Sequence, residues 1–394
     1  MQADLSIAAA RLDGRIEHDA FLGWDPFDAL NSRLVKRLTF GRRRLGQVWV
    51  QLFKRSPLNL RPILGVPKGY NPMGMGVFLA SYWRKYLLCG DPAHLSYTKH
   101  FADWLRQNAS PGYRGACWGY NFDWPNRGFF APAHTPTVVN TGFIGLAFLD
   151  LLALSGPDER QRWDGDALSI ACSACDFVRH DLQTDRPLAD ELTFSYTPLD
   201  RRVVHNANVL GAWLLAEVAS RTGEAELGEM ALAAARYTAR RQLPNGAWLY
   251  GEGRGDQWID NFHTGYVLTA LRRIGQVLNT PEFVAAVERG YSFWKSHFFT
   301  TAGAPKYYAE RLYPIDIHCA SQAILTFLAF SQQDAEAVTR ARDLAHWTVK
   351  HMQMPSGEFR YQIHPAYGID IPYMRWSQAW MQRAFVELDW NSQP

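Results

Sequence analysis

One layout recurs along this chain: an aromatic-x-Tyr unit, a short polar loop, then Asn, Asp or His at the head of an apolar helix. It is fullest in Gly246–Leu271, GAWLYGEGRGDQWIDNFHTGYVLTAL, where a Pro244–Gly246 turn leads into Trp248 and Tyr250. A Gly-rich loop with Glu252, Asp256 and Trp258 follows, and Asp260, Asn261 and His263 open the helix. The layout returns with Tyr196 before His205 and Asn206, Tyr308 before Asp316 and His318, and Tyr361 before Arg375. Upstream, Tyr120 precedes Asn140, and NPMGMGVFLASYWRKYLL at Asn71 is a weaker copy. Marked at Asn71, Asn140, Asn206, His263, His318 and Trp376, the copies are 69, 66, 57, 55 and 58 residues apart. A period this long, with a helix pair in each unit, predicts a ring or array of α-hairpins.

Helices of two kinds alternate. Those predicted over 94–108, 164–182, 224–242, 280–297 and 334–352 mix charge with spaced apolar residues, so one face is wet. Those predicted over 72–90, 137–155, 204–220, 261–276, 315–331 and 374–388 are apolar nearly all round and must be enclosed. With basic Arg33–Arg55 as the first outer helix, the set makes six outer and six inner helices, an all-α (α/α)6 barrel. Residues 1–32 read as an irregular lead-in and 33–394 as one domain. A length of 394 residues would allow more domains, but no Ser/Gly/Pro-rich linker divides the chain.

A net charge of +3 excludes nucleic acid as the expected partner. Five cysteines without framework spacing predict reduced thiols and a cytoplasmic location. MQADLSIAAARLDGRIEHD lacks the basic start and apolar run of a secretory signal, and no apolar run reaches the roughly 18 residues of a membrane span. No Asp or Glu occurs between Asn31 and Tyr70. The basic stretch Arg33–Arg55 within it reads either as a solvated outer helix or as a docking face. In the second case its partner is an anionic (inner) membrane surface, an acidic glycan or a glycosyltransferase.

In a ring of hairpins the outer-to-inner loops gather at one mouth, where helix N-termini favour anionic or hydroxyl-rich ligands. With 15 Trp, 17 Tyr and 22 Phe the chain can also line such a mouth with sugar-stacking rings. The longest such loop, Pro111–Thr137, carries Trp118, Tyr120, Asp123, Trp124, Arg127 and His134. A glycoside hydrolase needs two carboxyl groups, and Asp123, Glu191, Glu252, Asp260, Glu310 and Asp316 are candidates. Asp260 and Asp316 read equally as helix N-caps. A lyase or uronate epimerase needs Arg, Asn or His to neutralise a sugar carboxylate and Tyr or His to move a proton. Asn140, Asn206, Asn261, His205, His263, His318, Arg201, Arg202, Arg311, Arg375 and the repeated tyrosines offer that set. A non-catalytic glycan- or glycosyltransferase-binding ring is the third reading.

The expected catalytic cluster is Asp260, His263, Asp316 and His318 with Tyr250 and Glu252. Expected saccharide contacts are Trp118, Tyr120, Asp123, Trp124, Asn140, Glu191, Tyr196, Arg201, His205, Asn206, Trp258, Tyr308, Glu310, Arg311 and Arg375. No metal or cofactor is expected, and Cys172-x-x-Cys175 falls within an outer helix.

The repeat pattern resembles, over nearly the whole chain, the six-hairpin toroids of carbohydrate-active enzymes: six-hairpin glycosidases, N-acylglucosamine 2-epimerases and toroidal polysaccharide lyases. The resemblance implies a glycan-processing role, hydrolase first, with lyase or epimerase as alternatives. GWDPFDALNS, LGVPKGYNP and WGYNFDWPNRGFF resemble an uncharacterised bacterial group encoded with polysaccharide-assembly genes, which implies a biosynthetic setting. QLPNGAWLYGEG is similar to the repeats of squalene cyclases and prenyltransferase β-subunits, but the cyclases' DxDD string is absent. Asp316, His318 and Cys319 with Cys117 resemble the zinc ligands of prenyltransferases and lanthionine cyclases, without their order or spacing.

Overall fold

A computed structural model describes residues 2–126, 130–153 and 157–392; Arg127 of the long loop lies outside them. The first half of the chain forms α1 (Gln2–His18), α2 (Arg33–Leu38), α3 (Arg43–Arg55), α4 (Arg61–Leu64), α5 (Pro72–Cys89), α6 (Pro92–Gln107) and α7 (Val138–Ala153). There follow α8 (Pro157–His180), α9 (His205–Thr222), α10 (Ala225–Arg240), α11 (Asn261–Val277) and α12 (Val284–His297). The last are α13 (Ile317–Ala329), α14 (Ala337–Met352) and α15 (Trp380–Trp390), the latter led in by a π-helical turn at Met374–Ala379. Strands among the described residues are two-residue pairings such as Ile315–Asp316 with Gln362–Ile363.

Two compact units divide the chain. The first comprises Met1–Ser81, Tyr120–Thr135 and Phe299–Pro394; the second comprises Tyr82–Gly119 and Pro136–Phe298. In the second unit α7, α9 and α11 lie side by side, and α8, α10 and α12 cover them. The reason is in the side chains: α9 buries His205 through Ala212 without a break, whereas α10 buries one stripe of Leu227, Ala231, Ala234 and Ala235. In the first unit α13 is flanked by α14 and α15, and α1 packs on both of these.

That placement of α1 corrects the expectation of an irregular lead-in. Ala8, Leu12 and Ile16 are fully or nearly buried at helical spacing. The role of α1 is shown by a repeated contact. Gln242 donates from Nε2 to the carbonyls of Gly246 (2.9 Å) and Ala286 in α12 (2.8 Å). Gln353 donates in the same way to Gly357 (2.8 Å) and to Ala8 in α1 (2.8 Å). Both glycines have positive φ, and a Cβ on either would sit 2.6 Å from a carbonyl oxygen, that of Arg289 or of Arg11. Hence α1 is to α14 what α12 is to α10. The wet-faced series is α1, α6, α8, α10, α12 and α14; the enclosed series is α5, α7, α9, α11, α13 and α15.

The stretch Arg33–Arg55 is accordingly not the first outer helix, nor one helix. Phe40 (φ 48°) and Gly41 (φ 69°) take left-handed conformations that end α2 and start α3 afresh. Together α2–α4 form an excursion between α1 and α5. They close over Leu30, Val35, Val50, Phe53 and Val66, with Arg61 buried against Asp28 at 2.7 Å.

Candidate functional site

In the second unit the loop before α9 and the loop before α11 are laid together. The N–H of His205 donates to the Tyr250 carbonyl (3.0 Å), that of Glu252 to Val203 (3.2 Å), and that of Tyr250 to Trp258 (2.8 Å). Gly251 permits this approach, since a Cβ there would lie 2.7 Å from the Val203 oxygen. Arg202 pairs with buried Asp256 and ties the Gly-rich loop back to the same segment.

Asp260 is the N-cap of α11 and more. Its Oδ1 accepts the His263 N–H at 3.0 Å, which satisfies a first-turn donor. Its Oδ2 accepts the Trp258 indole N–H at 2.9 Å and lies 2.6 Å from His263 Nδ1. The Asp260 side chain is fully enclosed while that of His263 is 21% exposed, so the carboxylate backs the imidazole from inside. Tyr250 stacks on Trp258 (centroids 4.4 Å apart) and meets the His263 ring at 4.5 Å. Several of these groups, Tyr250, Asp260 and His263, line a small cleft together with Asn206, whose buried Oδ1 has no hydrogen-bond partner among the described residues.

A second pair stands beside it with the roles reversed. His205 is buried and its Nε2 lies 3.0 Å from Oε1 of Glu252, a half-exposed carboxylate. The hydrogen bond from His205 holds the Glu252 carboxyl below the usual range; burial opposes this and Arg241 assists it. Tyr250 and Glu252 flank Gly251, which makes a single antiparallel bridge to Val204. One pair therefore presents an imidazole backed by a carboxylate, the other a carboxylate backed by an imidazole. Arg241, which lies over Tyr237 at 3.5 Å, also binds buried Glu191 at 3.0 Å.

Other expected contacts of this unit fall elsewhere. Trp118 is a core residue, 1% exposed, with its indole N–H spent on the Leu105 carbonyl, so it cannot serve as a stacking surface. Asn140 is fully buried at the head of α7 with neither amide atom partnered among the described residues. Tyr196 is nearly buried and its carbonyl accepts the Val138 N–H; Arg201 is exposed.

Asp316 and His318 belong to the first unit. Asp316 caps α13 through His318 N–H (2.8 Å) and also accepts from Trp376 Nε1 (2.9 Å) and Gln362 Nε2 (2.6 Å). Burial raises its pKa despite those three donors and nearby Lys54. The His318 ring faces Trp376 (4.6 Å) and Trp380 (5.1 Å), and its Nδ1 lies 3.3 Å from the Trp376 carbonyl oxygen. Arg375 is held by two bonds to Asp25 and lies over Tyr120 at 5.1 Å. Tyr120 meets Trp124 edge-on at 5.9 Å, Asp123 pairs with Lys36 at 2.6 Å, and Arg311 lies over Tyr308 beside exposed Glu310. Sequence reasoning missed Gln362 and Lys54 as partners of Asp316, and nothing local in sequence flags either. Among the described residues no group of three His, Cys, Asp or Glu could hold a metal ion.

No family model matches the sequence, and no curated protein matches it. Solved structures do. Cellobiose 2-epimerase from Bacillus thermoamylovorans is 10% identical with a TM-score of 0.63, covering 82% of this chain and 88% of its own. Unsaturated glucuronyl hydrolase from Bacillus sp. GL1 is 13% identical at TM-score 0.58, covering 80% and 84%. A GH76 alpha-mannanase from Bacteroides thetaiotaomicron is 11% identical at TM-score 0.57, covering 81% and 86%. The fold shared with them is the all-α (α/α)6 toroid.

Proposed function

We propose that the chain is a carbohydrate-processing enzyme that moves protons on a saccharide in the cleft beside His263, in the manner of an epimerase or isomerase. The observation that carries this is the pair of oppositely built acid–base groups, Asp260–His263 and His205–Glu252, on two loops joined by the His205–Tyr250 backbone hydrogen bond. With Nδ1–H donated to Asp260, His263 keeps its Nε2 lone pair for a substrate proton, and the carboxylate stabilises the imidazolium that forms. On an open-chain sugar Nε2 of His263 takes the proton next to the carbonyl and the imidazolium so formed returns it to the enediolate, while Glu252, held ionised by His205, carries the hydroxyl proton from one oxygen to the other. Asn206 Oδ1 accepts a sugar hydroxyl, and the Tyr250–Trp258 stack walls the site.

A hydrolase reading is less well supported. It needs two free carboxyl groups, whereas Asp260 is spent on a cap, an indole and an imidazole, and Glu191 on Arg240 and Arg241. Glu252 is the solvent-reaching carboxylate on which hydrolysis would rest. The likeness of structure neighbours that are named as epimerases, an isomerase and hydrolases supports carbohydrate chemistry in general. The resemblance of three stretches to a polysaccharide-assembly group supports a saccharide of biosynthetic origin as substrate.

The test is incubation with mono- and disaccharides in deuterium oxide. The expected result is deuterium entering the sugar without cleavage, and loss of this exchange by about 10²–10⁴-fold in His263→Gln and Asp260→Asn. New reducing ends without exchange would replace the reading with hydrolysis through Glu252. A near-ultraviolet unsaturated uronate would replace it with a lyase, and no turnover of any saccharide with a binder.

A further inference from the structure

The excursion α2–α4 lies between the first wet-faced and the first enclosed helix of the toroid series and supplies no residue to the cleft beside His263. Its inner side is explained by the small core it closes. Its outer side is not. On α3 the exposed positions Arg44, Val48, Leu52 and Arg55 follow one another at helical spacing, so one stripe carries two apolar groups between two guanidinium groups. Val48 is 62% exposed and Leu52 48%. The turn between α2 and α3 thrusts out Phe40, 77% exposed, with Arg37, Arg42 and Arg43 around it in sequence. Leu34 and Leu38 on α2 and Ile63 on α4 are exposed as well. More than half of the large exposed hydrophobics among the described residues fall within this short excursion.

The charge is as one-sided as the apolar surface. The segment holds no carboxylate from Asn31 to Tyr70. Acids from outside reach three of its cations: Asp123 takes Lys36, Asp28 takes Arg61 and Asp19 takes Lys68. Arg33, Arg37, Arg42, Arg43, Arg44 and Arg55 form no ion pair among the described residues. Six uncompensated guanidinium groups mixed with protruding Phe, Leu, Val and Ile match a surface that is anionic outside and hydrocarbon beneath. A soluble polyanion would satisfy the arginines and leave Phe40 in water. No helix among the described residues is long and apolar enough to cross a membrane, so the contact is interfacial.

We propose that the outer face of α2, the Phe40–Gly41 turn, α3 and α4 docks the protein on an anionic lipid bilayer. Phe40 enters below the headgroups and the arginines bind lipid phosphates. The two signals act together, because neither a few arginines nor one aromatic side chain anchors stably alone.

The experiment is sedimentation of the full chain with phosphatidylcholine vesicles, with and without phosphatidylglycerol. Binding is expected to the anionic vesicles, and to weaken with salt. Replacing Arg42, Arg43 and Arg44 together by Gln is expected to weaken it on the order of a hundredfold, about fivefold per arginine. Phe40→Asn is expected to weaken it on the order of tenfold. Both variants should fold: Asn suits the left-handed backbone at position 40, and fewer cations at the α3 N-terminus relieve its dipole. A circular dichroism spectrum checks this. Absent or equal binding to the two vesicle types would overturn the proposal, as would indifference to either variant. Binding to dextran sulfate that ignores Phe40→Asn, with none to vesicles, would assign the face to a polyanionic chain instead.

Discussion

Asp260 and Asp316 hold equivalent places in successive repeats, and both cap the helix that follows. What separates them is the second oxygen. That of Asp260 reaches an imidazole three residues on, within the same helical turn, so the pair was legible from spacing alone. That of Asp316 meets Gln362, 46 residues away, and its capping oxygen also takes Trp376; such partners are set by packing and leave no local mark. Glu217 illustrates the same blindness. It is buried on α9 with Trp213 and Arg221 at helical spacing, but Arg273 arrives from α11 at 2.6 Å. Burial pushes its pKa up, yet the Arg273 contact, aided by Arg221 and Trp213, brings it below the usual 4.5. A folded pKa below the unfolded one gives stability that is present above about pH 4.5 and is lost as pH falls through the folded value. Glu217→Gln is therefore expected to lower the urea midpoint near neutrality and to flatten its fall between pH 5 and 3, roughly the range this linkage covers. An unchanged acid limb would remove Glu217 from the account.

Among the elements, long periodic helices were readable: each predicted inner helix is present, displaced at its ends by a few residues. The misses have physical causes. In α1 half of the apolar positions are Ala, which carry little hydrophobic signal until a neighbour covers them. The break at Phe40–Gly41 leads into a Gly-Arg-Arg-Arg run whose charge reads as continuous helix, while two positive φ values in succession end it. The glycine of Pro244–Gly246, by contrast, reads in sequence only as part of a turn, although Gly246 and Gly357 are also the points where a loop touches the next wet-faced helix. Gly246→Ala and Gly357→Ala are each expected to cost at least about 1–3 kcal/mol, from the left-handed backbone and the carbonyl clash together. Urea unfolding measures this, and Gly303→Ala, with positive φ but open space, supplies the strain-only reference. Equal costs at all three positions would mean that the contact contributes nothing.

The fold as an entire object was legible from its period, because each hairpin must bury a face its own residues cannot cover. The division of the chain was not, since the first unit gathers three separated stretches. Its first helix is held by its apolar face: Leu12→Ala is expected to cost about 2–5 kcal/mol, while Ile7→Ala, at a 59% exposed position, stays within about 0.5 kcal/mol. A silent Leu12→Ala would show α1 to be an appendage. Because α1 lies against α14 and α15, roughly 320 residues pass through the ribosome before its partners exist. At about 5–20 residues per second the nascent chain waits between a quarter of a minute and a minute with Leu12 and Ile16 uncovered. Synthesis thus leaves α1 waiting for shelter, and that waiting surface is the natural client of any chaperone riding the exit tunnel.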